Sequence, residues 1–285
     1  MLVATNTLLR QAQAGGFAIG AFNIYNLEGA RAVVAAAEEV RGPAMLQVHP
    51  AALRHGGLPL IALCLAAARA ADIPIGVHLD HSASRDDILA ALDEGIPSIM
   101  ADGSHLDYYE NLAFTREMAI LAHARGAVVE AELGRLTGTE DDVTVAEHAA
   151  RLTDPVQAAD FVARTEVDAL AVCIGNVHGP YRGEPRLDFA RLAAIREAVA
   201  VPLVFHGASG LPEPLVRRAI AAGVCKLNVN TEVRAAYLDA LRLSVGESES
   251  PDLLMVMRKG TEAMQGVVSA KLRLFGSAGR GSFIN

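Results

Sequence analysis

The sequence predicts an α/β fold and, within that class, a (β/α)8 TIM barrel with an extra C-terminal helical segment. Three observations carry this. Eight short aliphatic or β-branched runs alternate with Ala/Leu-rich stretches of helical period along the 285 residues. The composition is 52% hydrophobic with only 5% aromatic residues and no Trp, the small-aliphatic filling of a parallel sheet wrapped by helices. Several of the runs end in histidine or a carboxylate, and the carboxyl ends of barrel strands are where such folds carry their chemistry.

The elements follow in order. The opening stretch 1–16 lacks the charged and apolar halves of a signal peptide, and its amphipathic spacing predicts a first helix. Strands are predicted at 19–23, 44–49, 75–80, 98–102, 127–132, 169–174, 203–206 and 225–229. Helices are predicted between and after them at 27–40, 58–71, 85–93, 108–125, 155–165, 188–199, 212–222 and 231–243. Pro74, Pro97 and Pro202 each precede a predicted strand, where proline stops the preceding helix. The run GESESP at 246–251 reads as a loop introducing a final helix near 253–274, so residues 1–285 form a single barrel domain. Segment 134–146 is longer and more polar than the other strand-to-helix turns and is expected to act as a lid over the catalytic face.

Charge and cysteine usage exclude several functions. A net charge of −8 gives no basic field for nucleic acid, so no nucleic-acid partner is expected. The longest apolar stretch, 58–71, contains Arg69 and is too short for a membrane span. Cys64, Cys173 and Cys225 are odd in number and far apart, which implies neither a disulfide framework nor a thiolate metal site and fits a reducing cytoplasm.

The polar strand tips suggest chemistry. His81, His178 and His206 stand at comparable ends of the third, sixth and seventh runs, and three imidazoles suit Zn2+ or another divalent transition metal while leaving a position open. Glu132 and Asp102 end neighbouring runs and read as further ligands or as carboxylates that close or orient the site. His78, two residues before Asp80, reads as a support; His55, His105, His123 and His148 read as ordinary core or surface histidines. Glycine directly after His178 and His206 lets backbone amides approach an anion. Gly179, Gly207, Ser209 and the segment Asn228-Val229-Asn230-Thr231, opening a helix, together form a phosphate cradle where barrels often hold phosphate. Asp80 and Glu140 are the acid and base candidates, one beside a ligand histidine and one on the lid. Metal, carboxylates and cradle together suggest enolate chemistry on a phosphorylated ketone, with metal-assisted hydrolysis as an alternative.

In this order, AFNIYNLE (21–28), HLDH (78–81), ADGSH (101–105), EAELG (130–134), TDP (153–155), GNVHGPY (175–181), HGASG (206–210), KLNVNTE (226–232) and FGSAG (275–279) resemble the class II, metal-dependent ketose-bisphosphate aldolases, in the branch of fructose- and tagatose-bisphosphate aldolases. The resemblance implies a lyase of carbohydrate metabolism, such as glycolysis, that cleaves a ketose bisphosphate reversibly to dihydroxyacetone phosphate and an aldehyde. It implies that His81, His178 and His206 bind the metal, usually zinc, with Glu132 and Asp102 as alternate ligands. Asp80 would handle the C4 hydroxyl proton, and Glu140 the proton of dihydroxyacetone phosphate. Asn23 would touch substrate, and Arg182 would join the phosphate site where relatives often have lysine. Backbone oxygens near Val177, Gly179 and Gly207 would hold a monovalent cation, Na+ or K+. Relatives are homodimers or homotetramers.

The departures concern the aldehyde half. His49 stands where the family has a serine at the second strand's tip, and Leu254 where it has an arginine that reaches a neighbouring subunit's distal phosphate. Losing a bidentate guanidinium removes geometry that histidine does not reproduce. Either Arg258, one helical turn later, takes over, or the substrate is a ketose 1-phosphate whose aldehyde half is unphosphorylated or otherwise different. A barrel that only stabilises a partner subunit is a third reading.

Overall fold

A computed structural model describes residues 1–140, 143–145, 151–179, 181, 183–246 and 250–282; for residues 139, 140 and 143–145 it describes the backbone alone. The predicted barrel is present. Its strands are β1 (Ile19–Asn23), β2 (Ala44–Val48), β3 (Ile75–Ser82), β4 (Ser98–Ala101), β5 (Val128–Leu133), β8 (Ala169–Val172), β10 (Leu203–Phe205) and β11 (Val224–Val229). They close in the order β1-β11-β10-β8-β5-β4-β3-β2, and every pair is parallel. The other three strands, β6 (Thr137–Glu140), β7 (Val143–Val145) and β9 (Val177–His178), form a separate sheet in the order β7-β6-β9.

Helices α1 (Thr5–Gly15), α2 (Leu27–Val40), α3 (Pro50–Gly56), α4 (Leu58–Ala70), α5 (Arg85–Asp93) and α6 (Tyr108–His123) belong to the first half. The second half carries α7 (Pro155–Thr165), α8 (Phe189–Ala198), α9 (Glu213–Ala221), α10 (Thr231–Gly246) and α11 (Leu253–Leu274). Local chemistry sets their starts: the Ser84, Asp154 and Asp188 side chains accept from first-turn amides, and Asp107 with Glu110 forms a reciprocal capping box on α6. Among the described residues no single helix is long and apolar enough to cross a membrane; α3 and α4 pass that test only as a pair bent by 104°.

Strand periodicity sorts side chains into two layers. Outward residues such as Phe22, Leu46, Val77, Ile99, Val129, Leu170, Phe205 and Leu227 pack under the helices. Their inward neighbours near the amino ends of the strands, among them Ile19, Ala21, Met45, Ala169, Ala171 and Val204, pack against Leu8, Leu9 and Ala12 of α1 and against Phe17. The first helix therefore plugs the amino end of the barrel. Further along the same inward faces the residues turn polar: His78 and Asp80, Glu130 and Glu132, Lys226 and Asn228, all buried. An apolar floor thus supports a buried polar site that opens at the carboxyl ends.

Two regions differ from expectation. Within segment 134–146, expected to act as a lid, β6 pairs antiparallel with β7, with Gly138 opposite Val145 and Glu140 opposite Val143, and β6 also pairs in parallel with β9 through Thr137–Val177 and Gly138–His178. The seven-residue α3 was not expected; Pro50 at its start favours the turn, and His49 caps it by accepting from Ala51 N at 3.1 Å.

Candidate metal centre and active site

His81, His178 and His206 converge at the carboxyl mouth, each offering a nitrogen within 4.8 Å of the others. Ring centroids are 4.5 Å apart for His81 and His206, 5.1 Å for His81 and His178, and 6.2 Å for His178 and His206. A second group, His81, Asp102 and Glu132, shares the first histidine and meets the same spacing.

Each histidine reaches the centre by a different local device. His81 has φ of 45°; the only other described non-glycine residues with positive φ, Arg41 and Glu166, are helix C-caps. It lies where the β3–β4 register shifts between Leu79 and Ser82, an irregularity that re-aims a side chain inside a strand. His206 directly follows β10. Asn176 ties its segment to the neighbouring strand, donating to the carbonyls of His206 (3.0 Å) and Val172 (3.2 Å). His178 sits on β9 and is held through the hairpin. A Cβ on Gly138 would collide with the His178 carbonyl, and one on Gly207 with the Val177 carbonyl, so both glycines permit approaches no side chain would allow.

Carboxylates surround two of the imidazoles. His81 Nδ1 lies 2.6 Å from Asp102 Oδ2, while His206 has Glu132 Oε2 at 3.1 Å from Nδ1 and Glu130 Oε1 at 2.9 Å from Nε2. Burial alone would push the His81 imidazolium pKa down, but Asp80, Asp102 and Glu132 outweigh it and hold the pKa well above the usual histidine value. His206 is raised too: burial and His81 oppose, and hydrogen bonds to Glu130 and Glu132 prevail. Burial likewise works against the Asp102 carboxylate, yet its hydrogen bond with His81 keeps its pKa far below the usual range. Three imidazoles beside acidic oxygens, in a setting that strongly favours positive charge, fit a divalent transition-metal cation. His81, His178 and His206 would hold it, with Glu132 and Asp102 within reach.

Asp80 occupies a different environment. Its Oδ1 accepts from Asn228 Nδ2 at 3.1 Å, and its Oδ2 from Asn23 Nδ2 at 3.2 Å and Gln47 Nε2 at 3.1 Å. Gln47 also donates to Asn23 Oδ1 at 2.7 Å, so amides from β1, β2 and β11 fix the carboxylate of β3. The proposed cradle lies beside it. Ser209, Asn228 and Asn230 are buried, Thr231 opens α10, and Asn230 Oδ1 accepts from Tyr25 OH at 2.9 Å. The carbonyl of Gly207 accepts from Tyr181 OH at 2.9 Å, and Gly179 and Gly207 have φ of 75° and 73°.

A cavity of about 470 Å3 opens beside the histidines. His81, His178, Asp102 and Glu132 line it, together with His49, Arg54, His105 and Arg135 among other residues. His49 borders this cavity, and so does His105, read as an ordinary core or surface histidine. Arg258 does not: it is 70% exposed on α11, 3.0 Å from Glu262, because α11 packs outside the barrel against α2 and α10. Leu254 is likewise exposed, at 74%. Arg258 therefore makes no contact with this chain's own cavity, and the distal contact expected of it is one to a neighbouring subunit. Arg182, the Glu140 side chain and His148 lie outside the described residues.

Glu130, Lys226 and Gln47 stand in the motifs and strand tips noted in the sequence but were given no role there. The signal was alternation: Glu130 shares its parity with Glu132, Lys226 with Asn228, and Gln47 precedes the noted His49 by two. His78, read as a support, has Nδ1 2.8 Å from Ser98 Oγ and Nε2 3.7 Å from Glu130 Oε2.

An eight-stranded parallel barrel with a three-imidazole cluster and a fixed carboxylate at its mouth defines a barrel enzyme class suited to metal-assisted carbonyl chemistry. The chain belongs to the family Fructose-bisphosphate aldolase class-II, which matches residues 3–280. Among solved structures it is similar to a provisionally assigned fructose-1,6-biphosphate aldolase from Coccidioides immitis, with 38% identity, 98% of each chain covered and a TM-score of 0.93. It is also similar to the YdjI aldolase of Escherichia coli K12, with 34% identity, 99% of this chain and 100% of that one covered, and a TM-score of 0.89. The Fructose-bisphosphate Aldolase (Fba) of Campylobacter jejuni shares the fold at 22% identity, with 97% of this chain and 96% of that one covered and a TM-score of 0.78.

Proposed function

We propose that this chain reversibly cleaves a ketose phosphate of the fructose- or tagatose-bisphosphate type to dihydroxyacetone phosphate and an aldehyde. The observation that carries the reading is the convergence of His81, His178 and His206 within a few ångströms of one another at the barrel mouth, in a chain of the class II aldolase family. Zn2+ or another divalent transition metal on these residues supplies a Lewis acid that polarises the ketose carbonyl. In the cleavage direction Asp80 accepts the C4 hydroxyl proton, the C3–C4 bond breaks, and its electron pair stays with the ketose half. Glu140 then returns a proton to C3 of that half, which leaves as dihydroxyacetone phosphate. Gly179, Gly207, Ser209, Asn228, Asn230 and Thr231, with Arg182, cradle its phosphate. Asn23 touches substrate while orienting Asp80, as their 3.2 Å hydrogen bond supports. A monovalent cation would sit on the carbonyls near Val177, Gly179 and Gly207.

A second reading of the substrate is favoured by one observation. Two guanidinium-bearing residues, Arg54 and Arg135, border the cavity together with His49 and His105. That wall suits an aldehyde half whose anionic or hydroxyl groups differ from those of glyceraldehyde 3-phosphate. The chain is further proposed to form a homodimer or homotetramer, supported by exposed apolar residues on α10 and α11, Leu238, Leu243, Leu253 and Leu254. Three buried free thiols support a reducing cytoplasm.

The test is deuterium exchange into dihydroxyacetone phosphate, at the carbon that becomes C3, with and without chelator. Chelator-sensitive exchange is expected; its absence in metal-replete protein overturns the reading. Condensation with phosphorylated and unphosphorylated aldehydes then decides between the two substrate readings.

A further inference from the structure

Beneath the histidines lies a buried chain of contacts that the aldol roles above do not use. Lys226 Nζ donates to both oxygens of Glu130, at 3.1 Å to Oε1 and 2.8 Å to Oε2, and Glu130 Oε1 also lies 2.9 Å from His206 Nε2. Lys226 is 0%, His206 1% and Glu130 2% exposed, so water does not share these bonds. The other nitrogen of His206, Nδ1, faces Glu132, which itself belongs to a candidate ligand group with His81 and Asp102. Nδ1 is therefore the nitrogen on the metal side, and Nε2 points down into the barrel.

Resting on the metal-site reading, we propose that Glu130 and Lys226 are positioning residues that fix the tautomer and ring orientation of His206, presenting Nδ1 to the metal ion. The argument is one of donors and acceptors. An ammonium has only donors, so Lys226 obliges both Glu130 oxygens to accept. A Glu130 that can only accept leaves Nε2 to carry a proton, and a neutral imidazole protonated at Nε2 has its lone pair on Nδ1. A buried Lys–Glu pair contributes little net stability compared with an apolar pair of the same size, so the orientation of His206 is its distinctive consequence.

The arrangement predicts an unusual response to a near-isosteric change. In Glu130→Gln either orientation sets the NH2 at a position that faces Lys226; the shorter Lys226 contact, 2.8 Å at Oε2, favours keeping the amide oxygen there, which turns the NH2 to His206 Nε2. That nitrogen must then accept, which moves the ring proton to the metal-facing Nδ1. Zinc affinity, measured on stripped protein by competition with a chromophoric chelator, is expected to fall by roughly 10–100-fold, as for loss of an outer partner of a ligand histidine. Adding Lys226→Met frees the glutamine to turn its oxygen back to Nε2, and the double variant is expected to regain affinity. A merely structural role predicts the opposite, with the second substitution worsening the first.

Unchanged zinc affinity in Glu130→Gln, or a double variant no better than the single one, overturns the proposal. If Glu130→Gln fails to fold, nitrogen-15 spectra of zinc-loaded wild type decide: a proton on His206 Nε2 is expected, and one on Nδ1 overturns it. Wild type that takes up no zinc would sink the metal-site reading instead, so the two failures are distinguishable.

Discussion

The two sides of the barrel mouth hold carboxylates in opposite ways. On the metal side, Asp102, Glu132 and Glu130 contact imidazoles, and charge meets ionisable groups at 2.6 to 3.1 Å. On the other side, Asp80 is held by three neutral amides, from Asn23, Gln47 and Asn228. The first arrangement strengthens positive charge at the centre, as the raised pKa values of His81 and His206 express. The second fixes where a carboxylate points through neutral donors, while the Asp80 charge also helps to raise the pKa of His81. A cation site needs the first, and a proton-transfer group aimed at a hydroxyl benefits from the second.

The largest effect should come from breaking the metal side. His206→Ala is expected to lose bound metal and activity together, measured by metal analysis of the purified protein alongside turnover; a variant that still binds zinc tightly would remove His206 from the ligand set. Asp80→Ala should keep its metal and lose turnover by about 10²–10⁴-fold, so loss of metal there would erase the distinction between the two sides. Gln47→Ala sharpens it further. It removes one amide that orients Asp80 without touching a ligand histidine, and kcat should fall by up to about 10²-fold while zinc affinity holds.

The smallest effect concerns stability beneath both sides. Burial, with Lys226 adding to it, lowers the His78 pKa from the ordinary 6.5 to about 3, so His78 stays neutral in the folded protein at mildly acidic pH. The unfolded chain takes up a proton there below pH 6.5, and stability therefore falls with acidification between about 6.5 and 3. From pH 6.5 to 5 the loss from this residue is about 2 kcal/mol. His78→Asn should show a correspondingly shallower pH dependence in urea unfolding of metal-free protein; an unchanged slope would mean that His78 is not held neutral.

Much of this was legible from residue order. The eight runs fall on the eight barrel strands, usually within a residue or two, because period-2 burial and proline or glycine stops act locally. His81, His178 and His206 were readable because each follows an aliphatic run, and a barrel gathers such tips at one face. Glu130 and Lys226 were less legible. Each sits inside a strand rather than at its tip, and their meeting depends on β5 and β11 facing each other across a closed barrel, 96 residues apart. The hairpin was missed because Gly138 and Glu140 are weak strand formers, and it is the pairing of β6 with β7 and β9 that extends them.

The sequence by itself determined the α/β alternation, the motifs that mark the family, and which residues stand at strand ends. Those properties follow from side-chain type and short-range spacing, which the chain states directly. Only the tertiary structure decided that Asp80 is held by amides from three other strands, that Glu130 and Lys226 support His206 from below, and that Arg54 rather than Arg258 borders the cavity. Barrel closure and register set those meetings, and no local pattern encodes the distance between residues brought together from opposite ends of a chain.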